Sequence, residues 1–94
     1  MPEPKWQHGY RCHGYWIELS RVGIVSIPPG AKASVYGYDW AVEVPLLATK
    51  TGWSPTLIAA KRAVEKMFAD RALILKEMGK SLEVELQRDP EKWL

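Results

Sequence analysis

The feature that most constrains the fold is the tetrapeptide Gly52-Trp53-Ser54-Pro55, which precedes an unbroken run of good helix formers. The serine can cap a helix through its side-chain oxygen, and proline suits the first helical position because an N–H there would find no partner. Trp53 and Ile58 have the spacing of a hydrophobic staple. The pattern predicts a long helix that begins here, with Trp53 buried at its start.

The run that follows is amphipathic over residues 54–78. Its apolar residues recur at steps of three, four or seven: Leu57, Ile58, Val64, Met67, Phe68, Ala72, Leu75 and Met78. Such a stripe must pack against a sheet or another helix, so the charged far side should face solvent. Gly79 suits the position just past the last turn, because glycine adopts a positive φ without steric cost.

Period-two patterns before the helix predict three antiparallel strands within residues 15–45. The first begins at Tyr15, the second covers Gly23 to Ile27, and the third runs from about Ala33 to Val44. On the third strand the expected core face carries Tyr36, Tyr38, Trp40, Val42 and Val44. This aromatic face is the expected partner of the helix, and residues 46–53 are expected to be a connection.

The two ends of the chain carry weaker patterns. Residues 1–14 contain two prolines and two glycines, which predicts an irregular N-terminal arm, with a short edge strand near Trp6 to Arg11 as the alternative. Residues 81–94 form a C-terminal helix or tail, in which the alternation of residues 82–86 fits a short helix or an edge strand; we favour the helix. A chain of 94 residues has room for one core. The expected fold is therefore a single α+β domain, a three-stranded antiparallel sheet packed against one long amphipathic helix.

Composition bounds the location and the partners. The net charge is only +2, whereas nucleic-acid-binding domains usually carry a concentrated basic surface. No apolar run approaches the roughly 18–20 residues needed to span a bilayer, and the first residues lack the layout of a signal peptide. We therefore expect a cytoplasmic protein without membrane contact. The single cysteine, Cys12, cannot form an intramolecular disulfide.

Motifs for catalysis are weak. His8, Cys12 and His13 are the one cluster of soft metal ligands in the sequence, but a closed zinc site needs a fourth ligand, and their spacing matches no finger or ribbon. Glu18, Asp39 and Glu43 lie on predicted strands, where carboxylates usually keep an outer sheet face soluble. We therefore predict no metal, no cofactor and no enzymatic activity.

Five tryptophans and four tyrosines are more than a small sheet and one helix readily bury. The excess predicts a contact surface for a protein partner, which includes self-association as a homodimer. The candidate interaction residues are Trp6, Tyr10, Arg11, Tyr15, Trp16, Lys61, Arg62, Lys66 and Trp93. Two alternatives stay open. The aromatics fill a thin core, or the protein binds nucleic acid through sheet aromatics and a basic helix, using Arg11, Arg21, Lys61, Arg62 and Lys66.

The order of segments also carries a resemblance. Its parts are Tyr15-Trp16-Ile17-Glu18-Leu19, Val22-Gly23-Ile24-Val25, Tyr38-Asp39-Trp40-Ala41-Val42, the Gly52 tetrapeptide and Ala60-Lys61-Arg62-Ala63. Over roughly residues 15–70 this layout resembles small phage- or prophage-encoded β-β-β-α proteins of unknown function. The resemblance implies an accessory protein that binds and blocks a host enzyme or defence complex.

The layout is also similar to the sheet-plus-helix half of double-stranded-RNA-binding modules and of integrase-arm DNA-binding modules. This chain departs from the first group because it has no evident N-terminal helix and no Lys-Lys pair at the start of the long helix. It departs from the second because its strands are not basic enough. Protein binding therefore remains the favoured prediction.

Overall fold

A computed structural model describes residues 3–87, which form one antiparallel sheet and three helices. The elements in chain order are β1 (Lys5–Gly9), β2 (Cys12–Ile17), β3 (Ser20–Ser26), α1 (Ala33–Tyr36), β4 (Tyr38–Val42), β5 (Lys50–Ser54), α2 (Leu57–Glu77) and α3 (Leu82–Gln87). The strands lie in the order β1-β2-β3-β4-β5, so each one pairs with its neighbours in sequence. The α+β class is confirmed. No helix in this part of the chain is long and apolar enough to cross a membrane.

The predicted three-stranded sheet is wrong, since the sheet has five strands. One strand is added at each edge, and the first of these is β1. The expected irregular arm contains β1, which pairs with β2 from Lys5 opposite Trp16 to Gly9 opposite Cys12. Pro4 precedes the first paired residue and removes no hydrogen bond from the ladder. A proline and a glycine at the two limits of a strand therefore looked like an irregular segment in the sequence.

The second added strand, β5 (Lys50–Ser54), occupies the second half of the expected connection over residues 46–53. It pairs with β4 from Tyr38 opposite Ser54 to Val42 opposite Lys50. A glycine at position 52 weakens the strand signal in the sequence, because glycine has no side chain to pack on a sheet. The predicted third strand is also shorter than expected. Residues 33–36 form α1, and Gly37, with φ 89°, separates this helix from β4.

Helix α2 begins two residues later than predicted. Thr56 is the N-cap, and its Oγ1 accepts a hydrogen bond from the backbone N–H of Ala59 at 3.1 Å. Ser54 instead ends β5, where an extended conformation suits the residue before a proline. The predicted staple is wrong as well, since the side chains of Trp53 and Ile58 are 53% and 65% exposed.

The predictions for the C-terminal end of α2 and for the helix after it are confirmed. Gly79 has φ 75°, its N–H bonds the carbonyl of Lys76, and the N–H of Lys80 bonds the carbonyl of Leu75. This is the Schellman arrangement, so the expected role of Gly79 is confirmed. The favoured helix at residues 82–86 is also confirmed as α3, which packs on α2. Positions 88–94 of the predicted helix or tail lie outside the described residues.

The core lies between α2 and the middle of the sheet. The most deeply buried side chains there are Val22, Val25, Val42, Val64 and Leu75. A β-bulge at the pairing of β2 with β3 lets two consecutive residues of β3, Val22 and Gly23, turn away from solvent. A Cβ on Gly23 would lie 2.5 Å from Cγ1 of Val64, so the missing side chain sets how closely the helix approaches the sheet.

The close approach at Gly23 generates a first prediction. Gly23→Ala should lower the free energy of unfolding by about 1–3 kcal/mol, because the added methyl overpacks the contact with Val64. Urea denaturation measures the change, with Ser26→Ala on the same strand as the control. Val64→Ala in the Gly23→Ala background should cost less than it does in the native chain. Full additivity of the two substitutions would contradict the contact.

The corrected helix cap generates a second prediction. Thr56→Ala should cost about 1 kcal/mol of stability, because the N–H of Ala59 loses its acceptor. Thr49→Ala, at an exposed position outside the strands, is the matched control and should change little. If the two variants have the same melting temperature, Thr56 is not the cap.

Candidate interaction surface

The two faces of the sheet have different environments. The face toward α2 carries Tyr15, Gly23 and Val42, which are aligned across β2, β3 and β4. Within residues 3–87, the substantial helix packing is that of α2 on this face and of α3 on α2. We call the opposite side the open face. Strand alternation places on it Lys5, Gln7, Cys12, Gly14, Trp16, Arg21, Ile24, Ser26, Asp39, Ala41, Thr51 and Trp53.

One tryptophan of the open face lies across a glycine of its own strand. A Cβ on Gly14 would fall 2.4 Å from Nε1 of Trp16 and 3.1 Å from its Cδ1. The side chain of Arg21 borders the same spot, since its Cδ would be 3.4 Å from that Cβ. The indole is therefore folded down onto the backbone of β2, and Trp16 is half-buried.

The second tryptophan is held at the other end of the open face. Trp53 Nε1 donates a hydrogen bond of 2.7 Å to the backbone carbonyl of Tyr36. Its ring covers Gly37, whose added Cβ would lie 2.9 Å from Trp53 Cζ2. Tyr36 in turn donates its hydroxyl proton to Asp39 at 3.1 Å, and this bond is the main reason that the pKa of Tyr36 is raised. The indole is thus fixed while half of its surface stays exposed.

Small and apolar side chains lie between the two indoles. Ile24, Ala41 and Thr51 are aligned across β3, β4 and β5, and together with Trp53 they line a shallow depression. A flat surface with rigid aromatic groups suits another protein, whereas small ligands are usually enclosed in deep pockets. The open face is therefore the best candidate for a contact surface.

The predicted candidates nearest the N-terminus have an internal role. Trp6 Nε1 donates to Glu65 Oε2 at 3.1 Å, and Lys61 Nζ lies 5.2 Å from the Trp6 ring centroid. The rings of Trp6 and Tyr15 are 4.7 Å apart, and Tyr15 meets Phe68 edge to face at 5.7 Å. Burial, followed by the carboxylates of Glu65 and Glu3, raises the pKa of Tyr15. These contacts attach β1 to α2.

The remaining candidates are dispersed. Tyr10 is 91% exposed at the turn between β1 and β2. Arg11, beside it, has φ 53° and donates through Nη2 to the carbonyl oxygens of Pro28 and Ala31, at 2.9 and 2.7 Å. Arg62 and Lys66 are exposed on α2, and Trp93 lies outside the described residues. The structure does not bring the predicted residues together on one surface.

The sequence prediction missed most of the open face. Trp16 was a candidate, but Trp53, Ile24, Ala41 and Thr51 were not. One signal was available, since Gly14 and Trp16 are two residues apart and share a face once the strand predicted from Tyr15 is extended back by one residue. The pairing of Trp53 with Asp39 had no comparable local signal, because β5 itself was not recognised.

The soft-ligand cluster separates across the sheet. His8 and His13 stack with ring centroids 4.4 Å apart, whereas Cys12 alternates with His13 along β2 and so points to the open face. Among residues 3–87 no three His, Cys, Asp or Glu side chains converge as a metal site. The three residues therefore do not form a shared site.

The different settings of two tryptophans generate a third prediction. Trp6→Ala should cost about 2–3 kcal/mol, because it removes contacts to Tyr15, Lys61 and Glu65. Trp53→Ala should cost about 1 kcal/mol, mainly the hydrogen bond to Tyr36. Chemical denaturation of both variants checks the order. A larger loss of unfolding free energy for Trp53→Ala than for Trp6→Ala would contradict the contacts described for the two side chains.

Comparison of the chain with known protein families, curated proteins and solved structures finds no match. The resemblance to small phage-encoded proteins therefore stays a prediction. Functional inference rests on the geometry of the chain's own residues.

Proposed function

We propose that this protein is a non-enzymatic protein-interaction module that binds its partner through the open face. The observation that supports this most directly is the pair of indoles, Trp16 and Trp53, each held flat over a glycine on the face opposite α2. Rigid aromatic groups lose little conformational entropy on binding and are enriched among the residues that dominate interface energetics.

The form of the face defines the kind of partner. Its centre is apolar and nearly flat, so it complements a flat apolar patch on a folded protein. Lys5 and Arg21, which are both aligned with Trp16, lie at one end beside the carboxylates of Glu3, Glu18 and Glu43, so that end carries charges of both signs. Asp39, aligned with Trp53, places negative charge at the other end. These charges at the rim set the orientation of a partner more than they add to its affinity.

The narrower form of the proposal follows from the resemblance to phage-encoded proteins. In that form, the partner is a host enzyme or a defence complex, and the module inhibits it by covering a surface. Inhibition by coverage requires one module for each partner molecule and no turnover. Saturation at an equimolar ratio is therefore expected in a titration of the partner's activity.

The alternative of nucleic-acid binding has less support. Two of its five predicted cations are engaged within the molecule: Arg11 at two carbonyl oxygens and Lys61 at the ring of Trp6. Nucleic-acid binding would weaken steeply with salt, because bound phosphates release counterions. Binding through the apolar centre of the open face should change little over the same range of salt.

Site-specific photocrosslinking generates a fourth prediction. A photoreactive residue at Thr51, on the open face, should crosslink one protein in the native host, whereas the same group at Lys66, on the outer side of α2, should not. The crosslinked protein is then purified, and its dissociation constant is measured by calorimetry. Ala41→Arg should weaken binding at least about tenfold, because a long charged side chain then stands in the apolar centre.

The matched control is Lys66→Glu, which should leave the dissociation constant within about twofold. Circular dichroism establishes that both variants are folded. Crosslinking from position 66 alone, crosslinking from neither position, or unchanged binding by the Ala41→Arg variant would each overturn the proposal.

A further inference from the structure

We propose that the stacked pair His8 and His13, together with Lys61, forms an acid-sensitive latch that releases strand β1 from the sheet. The inference concerns the side of the sheet that faces α2 and does not depend on the open face. It rests on the position of two imidazoles at the least supported edge of the sheet. Neutral rings stabilise that edge, and charged rings destabilise it.

The geometry of the pair is the first step. His8 on β1 and His13 on β2 are directly opposite each other in the ladder. Their ring planes are within 5° of parallel, and their centroids are 4.4 Å apart. Two neutral imidazoles, or one neutral and one protonated, tolerate such a stack. Two imidazolium ions at this separation repel each other.

The surroundings add positive charge from a second element. Lys61 of α2 lies over Trp6, two residues before His8 on the same strand. Glu65, a carboxylate of α2, accepts the indole N–H of Trp6. On the other side, β3 places the apolar Val25 opposite His13. Burial, then the charge of Lys61, and then that of His8 lower the pKa of His13 below its ordinary value of 6.5.

The direction of the linkage follows from that lowered pKa. Release of β1 removes His8 from the stack and exposes His13 of β2 to water, so His13 binds its proton at a higher pH in the released state than in the docked state. The contribution of His13 to docking is complete above about pH 6.5, the ordinary value. It is lost as the pH falls through the lower value of the docked state. Acid therefore favours release.

The topology confines the effect to β1. This strand is at the end of the sheet order, pairs with β2 alone among the strands, and is otherwise fixed by the contacts of Trp6 with α2. Its release breaks no other ladder. It does uncover the backbone edge of β2 and the ring of Tyr15. The latch thus controls whether β1 or β2 forms this edge of the sheet.

Amide hydrogen exchange followed by NMR tests the latch on the full chain. Protection factors, corrected for intrinsic rates, are compared at about pH 7.5 and about pH 5.5, on either side of the ordinary histidine pKa. Between them, protection in β1 should fall by at least about twofold, while protection in β4 stays constant. An equal fall in both strands, or none in β1, would overturn the proposal.

Two variants isolate the charged groups. The double variant His8→Gln/His13→Gln should lose the difference between the two pH values, and Lys61→Gln alone should reduce it. Tyr10→His, at the exposed turn, adds a histidine that stacks on nothing and should leave the difference unchanged. If the double variant does not fold, the latch is tested with Lys61→Gln and with the pKa values of His8 and His13 measured by NMR. A His13 that titrates at or above its ordinary value would overturn the latch.

Discussion

The contact between Gly23 and Val64 is the constraint from which the rest of the fold follows. With no Cβ on Gly23, the side chain of Val64 lies against the backbone of β3, and Val64 is fully buried. The helix axis is thereby fixed over the centre of the sheet. Residues of β1 then reach only the side of the helix, where Trp6 meets Lys61 and Glu65. On the sheet's other face, the short helix α1 contacts Trp53 at one end.

At three positions in this chain, the missing side chain of a glycine leaves space for an aromatic ring. Trp16 lies on Gly14, Trp53 on Gly37 and Trp40 on Gly52, where an added Cβ would be only 2.3 Å from Trp40 Cζ2. In each case the ring covers backbone that would otherwise meet solvent, and the glycine permits the approach. Trp40 lies on the α2 side and belongs to the packing of the core, whereas the other two shape the open face. The excess of tryptophan thus divides between core and surface.

Much of the architecture was predictable from local patterns. The helix stripe, Gly79 as its terminator and the aromatic face of Tyr38, Trp40 and Val42 all follow from periodicity and capping chemistry. The edge strands were less predictable: β1 was only an alternative within the irregular arm and β5 was not expected, because both are short and each contains a glycine. Their pairing is decided by the neighbouring strand, which no local window contains.

The candidate surface was less predictable than the fold for a related reason. Whether a tryptophan faces the helix or solvent depends on strand register, and a single bulge changes the register between Tyr15 and Trp16. The spacing of Trp53 and Ile58 fitted a staple, yet the ladder between β5 and β4 directs Trp53 to the open face. Likewise, Arg11 is a basic residue beside an aromatic one in the sequence, but its guanidinium joins the hairpin turn to the Pro28–Ala31 segment.

The strand order has a consequence for how the chain folds. A sheet in which every strand pairs with its sequence neighbour has a low contact order, and such chains close only short loops before their contacts form. The closing of one hairpin after another, with α2 docking on β3 and β4, gives a direct route to the native state. Strand β1 reaches its one partner through the two-residue turn at Tyr10 and Arg11, so the β1–β2 hairpin can close early. The contacts of Trp6 with α2 join residues that are distant in sequence, so they fit the end of that route.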